Sequence, residues 1–288
     1  SEELSALNDL KFVPNIEHFI LVGNHEMGIN TLEYSSAHVL SLSEVFTVID
    51  SPKTIELDDF HQLCFLPYVL EENRKPIEKV FPKTPKKRII FSHNDIAGIR
   101  LGAFLTVNGF SIEDIENNCD LFINGHLHNG DRVSKKIFNV GNLTGQNFSE
   151  DAFRYSHGVF VIDTDTLKIE VYSNPYAINF YKLDFTENNS IDYINDTALK
   201  LRNAVVTIQC NEPEYSYLKK RFGAERDPII PHCDNVLVSK FIVKYNSTVE
   251  ENDIKDLSVN HIEEFRKFVL NNIGNDDLVL GELQEILK

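Results

Sequence analysis

Four short apolar runs in this chain end alike, and that shared ending limits the fold more than any other feature. His18 to Val22 runs into Gly23-Asn24-His25-Glu26, and Lys87 to Phe91 runs into Ser92-His93. Asp120 to Asn124 runs into Gly125-His126-Leu127-His128, and Ile137 to Val140 runs into Gly141-Asn142. Each run has the length and the β-branched or aromatic character of a buried strand. In open α/β sheets ligands gather at the carboxyl ends of strands, so four such ends can face one crevice. Histidine is the commonest metal ligand, using a neutral ring nitrogen. An Asn oxygen together with imidazole nitrogens suits Mn²⁺, Fe²⁺ or Zn²⁺. Glycine beside them lets backbone approach a metal or phosphate closely. His126 and His128, two residues apart, would face one side unless the backbone twists. Such a pair can serve two cations about 3.5–4 Å apart. A lone His93 at a strand end is more often structural; the three histidine-bearing clusters in this order carry the metal reading.

Between these runs the pattern is that of a layered α/β sandwich, with strands dominating and helices intervening. Val45 to Asp50 and Leu63 to Tyr68 read as further strands. Glu71 to Phe81 reads as a short helix broken by Pro76, and Ile112 to Cys119 as a helix with Ser111 as N-cap. Gly158 to Ser173 reads as a hairpin turning around Asp163 to Asp165. After Pro175 the texture changes, and residues 176–245 suggest a small separate α+β unit. Beyond Asn246 two amphipathic helices are expected, one around Ile262, Phe265, Phe268 and Val269, the other around Val279, Leu283, Ile286 and Leu287. Their apolar stripes can pack on the chain itself or receive a partner.

Charge bears on the partner. Lys and Arg number 28 against 44 Asp and Glu, a formal charge of −16. Such a chain grips nucleic acid poorly unless metal ions or a basic partner supply positive charge. Lys83 to Arg88 and Lys219 to Arg221 are the only obvious basic runs, and each reads more readily as a solvated face. The four cysteines, Cys64, Cys119, Cys210 and Cys233, show no C-x-x-C spacing, which suggests reduced thiols in a cytosolic protein. No apolar run approaches ~18 residues, so no membrane span is expected. Ser1 is not an initiator Met, so a processed product or fragment is expected.

In order and content, "GNHE", "SHND" and "GHLH" resemble the last three motifs of the calcineurin-like metallophosphoesterases. The two earlier motifs of that family, D-x-H and G-D, have no counterpart here. The resemblance implies an α/β fold, the four-layer α-β-β-α metallophosphoesterase sandwich, here N-terminally incomplete. It implies that Asn24, His93 and His126 ligate one metal and His128 the other. His25 corresponds to the catalytic histidine, which acts on the phosphate and binds no metal; Glu26 is not expected to be a ligand. Two divalent ions are implied, Mn²⁺ foremost. Three of four ligands for one ion and one of four for the other predict weak or absent metal binding by this chain alone.

Val22 stands where protein Ser/Thr phosphatases carry a phosphate-gripping Arg, which argues against that branch. The stretch from Ile137 to Tyr172 is similar instead to SbcD-type DNA repair nucleases, with Asn142 in place of the usual Ser or Thr, and the phage-encoded recombination endonucleases look nearest. That likeness implies three parts. Residues 1–175 would be the nuclease domain, 176–245 a capping, DNA-binding domain, and 246–288 helices for an SbcC-type SMC-like ATPase. A homodimer within a heterotetramer, in the cytoplasm of a cell or phage-infected cell, is the implied assembly. The implied function is metal-dependent exonuclease or endonuclease action on DNA in recombination or break repair. Two other readings stand beside it, a small-molecule phosphodiesterase or phosphatase on the same fold, and a non-catalytic remnant.

Overall fold

The computed structural model describes residues 16–28, 31–43, 45–101, 104–150 and 152–244. The two amphipathic helices expected after Asn246 lie outside these described residues. The chain is a mixed α/β structure. Strands β1 (His18–Leu21) and β2 (Phe46–Ile49) pair in parallel, with Leu21 level with Ile49. A six-stranded sheet follows, built from β3 (Lys53–Glu56), β4 (His61–Leu66), β5 (Lys87–Ser92), β6 (Leu121–Asn124), β7 (Asp131–Arg132) and β8 (Ile137–Asn139). Their spatial order is β7-β8-β6-β5-β4-β3. The four inner strands are parallel, and the edges β3 and β7 are antiparallel.

Parallel neighbours need crossover connections. Those around β5 carry α1 (Ile77–Val80) and α2 (Ile112–Asn118). Ser111 caps α2 as its sequence suggests, its Oγ accepting from the Asp114 N–H at 3.1 Å. The helix expected over Glu71 to Phe81 splits into a 3-10 turn, Glu71–Asn73, and the single turn of α1, with Pro76 between them. Proline lacks the N–H that would carry a helix through that point.

Successive side chains of the inner strands alternate between the two faces of the sheet. On one face Cys64, Leu66, Ile90, Phe122 and Ile137 pack against Ile77, Phe81 and Ile115 of the helical side. On the other, Ile89, Leu121 and Ile123 meet Ile162, Leu167 and Ile169 of a hairpin, β9 (Gly158–Ile162) with β10 (Ile169–Ser173). The Phe138 and Phe160 rings meet edge-on at 4.9 Å. Helices, sheet and hairpin are thus three successive layers, and all four residues of β6 are buried between them. Among the described residues no helix is long and apolar enough to cross a membrane.

The segment from Asn179 is a second, smaller sheet. Its order is β11 (Asn179–Asp184), α3 (Ile191–Lys200), β12 (Ala204–Asn211), α4 (Glu212–Arg221) and β13 (Val236–Lys244). All three strands are parallel, in sequence order. The expected α+β unit is therefore a strand–helix alternation, whose helical crossovers leave neighbouring strands parallel. Both helices bury Ile194, Ala198 and Leu218 on the face that carries Tyr181, Leu183, Val206, Ile208 and Cys210.

Candidate metal centre

The register of the larger sheet brings the polar endings together. Leu66 is level with Ser92, Ser92 with Asn124, and Asn124 with Asn139, so the carboxyl ends of β4, β5, β6 and β8 share one edge. A buried chain of asparagines ties that edge. Asn94 N donates to Asn124 Oδ1 at 3.0 Å, and Asn124 Nδ2 to Asn139 Oδ1 at 3.3 Å. Asn139 Nδ2 donates to the Leu127 and Asn129 carbonyls at 2.6 and 2.7 Å. Asn94 Nδ2 reaches the Pro67 carbonyl at 2.9 Å, and its Oδ1 accepts from Val69 N at 2.8 Å. Each of the three loops that follow β4, β5 and β6 thus hangs from a buried asparagine side chain. The three asparagine side chains are buried, where a missing partner costs about 1–3 kcal/mol.

Above this network stand the histidines. Tyr68 N donates to Val22 O at 3.0 Å, which sets the end of β1 beside the loop after β4. Asn24 then places Oδ1 3.1 Å from His93 Nε2, and the His93 and His126 rings meet edge-on with centroids 5.1 Å apart. Gly23 is required here. A Cβ on it would lie 2.7 Å from His93 Nε2 and 2.8 Å from Glu26 Oε2. Gly125 has no such constraint, since its nearest neighbour would be His93 Nδ1 at 3.6 Å. Glu26 closes its own turn, Oε2 accepting from Gly23 N at 2.9 Å. His25 is exposed at that turn.

Burial pushes the His93 imidazole down to about 4, aided by positive charge at His126, His25 and His128 and opposed by Glu26. At neutral pH His93 is therefore an uncharged base with a lone pair to offer. The hydrogen bond from His126 holds the Asp95 carboxyl below its usual range, against the effect of burial.

The strand before GHLH stops at Asn124, and both histidines lie on the bends that follow. Buried Leu127 separates them, and they find different partners. His126 Nε2 lies 3.0 Å from Asp95 Oδ1, while His128 Nδ1 lies 3.2 Å from Glu150 Oε1. His126 Nδ1 is buried without a hydrogen-bond partner. A buried ring nitrogen left unpaired among imidazoles and an Asn oxygen fits a cation-binding role. Asn24, His93 and His126 would hold one ion and His128 contribute to a second. Among the described residues no three His, Cys, Asp or Glu side chains converge to hold a metal by themselves.

Asp95, Glu150 and the asparagines 94, 124 and 139 escaped the sequence reading. The asparagines all sit at or just past strand ends, which is the one signal that could have pointed to them. Both basic runs are engaged within the fold. Lys86 Nζ lies 2.7 Å from Glu56 Oε2, Lys87 Nζ donates to Asp165 O at 2.7 Å, and buried Arg88 donates to Asn118 O at 3.0 Å. Lys219 pairs with Glu225, Lys220 with Asp227 at 3.1 Å, and Arg221 Nε with Asn195 Oδ1 at 3.1 Å.

No family model matches this chain. It is similar to "Putative phosphoesterase 244L" of Invertebrate iridescent virus 6, with 27% identity over 137 residues. The match covers 46% of this chain and 47% of that relative, so the chain spans about half the length of the curated relative it matches.

Proposed function

We propose that the chain carries part of a metal-dependent phosphoester hydrolase, with the architecture of the four-layer metallophosphoesterase sandwich. The observation that carries this is the meeting of three distant stretches, Asn24 Oδ1 at 3.1 Å from His93 Nε2 and the His126 ring at 5.1 Å from that of His93. The named phosphoesterase relative supports the same class.

Bound divalent ions would supply Lewis-acid polarisation of the phosphate and a nucleophilic water at neutral pH. The chain's own residues do the rest. Asn24, His93 and His126 present donors, and His128 presents one more. His25, exposed in the same turn as Asn24, would protonate a leaving oxygen. The Asp and His ligands that the family draws from D-x-H and G-D are not among these 288 residues.

The finer reading is a DNA exonuclease or endonuclease of the SbcD type, working with an SMC-like ATPase. One feature of the smaller sheet supports a phosphate-backbone substrate. Its helix-free face carries Lys182, Lys240 and Lys244 against one acid, Asp184, with Lys182 level with Thr207 and Thr207 with Lys240. Metal and substrate are tested together. Titration of the chain with Mn²⁺ should show a weak, saturable site that His93→Ala abolishes. Saturable binding indifferent to His93→Ala would overturn the metal reading. With metal bound, cleavage of linear duplex DNA should exceed that of bis-p-nitrophenyl phosphate and fall with His25→Ala. The reverse preference would favour a small-molecule phosphodiesterase.

A further inference from the structure

The two histidines of Gly125-His126-Leu127-His128 are gripped by carboxylates through opposite ring nitrogens. Asp95 Oδ1 takes Nε2 of His126 at 3.0 Å, and Glu150 Oε1 takes Nδ1 of His128 at 3.2 Å. We propose that Asp95 and Glu150 are positioning residues that lock His126 and His128 in opposite tautomers, leaving Nδ1 of His126 and Nε2 of His128 free for a divalent cation. The inference rests on the metal reading above and deepens it.

The argument starts from donor counting. An ionised carboxylate only accepts, so the ring nitrogen facing it must carry the hydrogen. A neutral imidazole has one N–H, so its other nitrogen is then the base. For His126 that base is Nδ1, the buried nitrogen with no hydrogen-bond partner. For His128 it is Nε2. One motif thus offers a cation two nitrogens of different kinds. Metal-ligating histidines commonly give their second N–H to a carboxylate in this way.

Both tethers are built into the fold. The Glu150 side chain is 3% exposed and accepts from Asn142 Nδ2 at 3.2 Å and from Gln146 N at 3.2 Å. His157 backs it, with Nε2 at 3.8 Å from Glu150 Oε2 and Nδ1 donating to Asn142 O at 3.0 Å. Asn142 N in turn donates to His128 O at 3.0 Å, so the loop that carries Glu150 is stitched to the histidine it holds. Gly141, at φ +70°, makes that approach possible, since a Cβ there would fall 2.4 Å from Gly130 N. Asp95 is fixed from behind, where Phe110 N donates to its carbonyl at 3.0 Å and Gly109 takes φ +119° against it.

Long-range ¹H–¹⁵N correlation on the full metal-free chain near neutral pH reads the tautomers directly. His126 should carry its hydrogen on Nε2 and His128 on Nδ1. Glu150→Ala should move His128 toward the Nε2–H form and leave His126 unchanged; Asp95→Ala should release His126 and spare His128. If a buried alanine prevents folding, Glu150→Gln keeps the shape and should still weaken the Nδ1–H preference. Each tether lost should lower Mn²⁺ affinity about 10–100-fold. Identical tautomers in the wild-type chain, or a His128 tautomer indifferent to both Glu150 variants, would overturn the inference. The two readings fail separately. Mn²⁺ binding unaffected by the tether variants sinks the tethers alone, while correct tautomers with Mn²⁺ binding indifferent to His93→Ala sink the metal reading.

Discussion

An inner strand of the larger sheet and the central strand of the smaller one meet their surroundings differently. Every residue of β6, Leu121–Asn124, is buried, whereas β12, Ala204–Asn211, alternates buried and half-exposed along its whole length. The larger sheet is covered by helices on one face and a hairpin on the other. The smaller one has both helices on a single face. A strand buried on both faces can show polarity only at its end, and the histidines and asparagines sit there. A strand covered on one face keeps a polar side for water or a ligand along its length. The two regions thus locate chemistry in different places, at an edge in one and across a face in the other.

The largest effects should come from cutting each core. Phe122 is 0% exposed at the centre of the larger sheet, and Phe122→Ala should cost about 3–5 kcal/mol. Ile208, equally buried under α3 and α4, should cost about 2–5 kcal/mol as Ile208→Ala. Denaturant unfolding followed by residue-resolved hydrogen exchange separates them. Ile208→Ala should loosen residues 179–244 and leave the His93 and His128 ring signals in place. Were both sheets to lose protection together at the first denaturant step, they would be one cooperative unit and the contrast would fail.

A step down in size is the contrast between polar groups. Asn124→Ala strips a partner from Asn94 N and from Asn139 at once, both in buried surroundings. It should cost about 1–3 kcal/mol for each group left unpaired. Thr207→Ala on the helix-free face of the smaller sheet should change stability by no more than about 0.5 kcal/mol. Equal costs for the two, measured by chemical denaturation, would mean that the asparagine chain is not the tie it looks to be.

These contrasts follow what the sequence could express. The strands around β1, β5, β6 and β8 were legible because an apolar run with a polar ending is a local pattern. So were the Ser111 cap and the hairpin from Gly158. The gathering of Asn24, His93 and His126 could be expected only from motif order, since it depends on the register of β5 with β6 and on the Tyr68–Val22 bond, across 103 positions of chain. Asp95 and Glu150 were not legible. Each gains its meaning from a histidine 31 or 22 residues away, through a side-chain contact that leaves no periodic trace. The engagement of Lys86 and Lys87 was hidden for the same reason, because a basic run looks alike whether solvated or paired. The parallel character of β11 to β13 was open to inference from the strand–helix alternation alone.

Two glycines sharpen the picture of the edge. Gly23→Ala pushes a methyl to 2.7 Å from His93 Nε2 and should cost about 1–3 kcal/mol while displacing that ring. Gly125→Ala meets nothing nearer than 3.6 Å and should be tolerated at His93. Ring chemical shifts of His93 in the two variants decide it; equal perturbation would show that the edge is adaptable.

The smallest expected effect concerns the thiols, two in each region. Burial pushes Cys119, under the larger sheet, up to about 12, with Lys136 opposing. Burial also raises Cys233 in the smaller region, but that residue is only half-buried. Thiolate is the reactive form, so a disulfide reagent at pH 8 should label Cys233 first and leave Cys64, Cys119 and Cys210 silent until the chain unfolds. The linkage has a definite sign. Between pH 9 and about 12 an unfolded chain releases the Cys119 proton while the folded chain keeps it. The folded state therefore loses stability relative to the unfolded as pH rises through that window, and the loss is absent below pH 9. Cys119→Ser should flatten that part of the stability profile, whereas Cys233→Ser should alter it less. Rapid labelling of Cys119 in the native chain at pH 8 would show that the helical layer over the larger sheet opens readily, and the two-sided burial that distinguishes it would not hold.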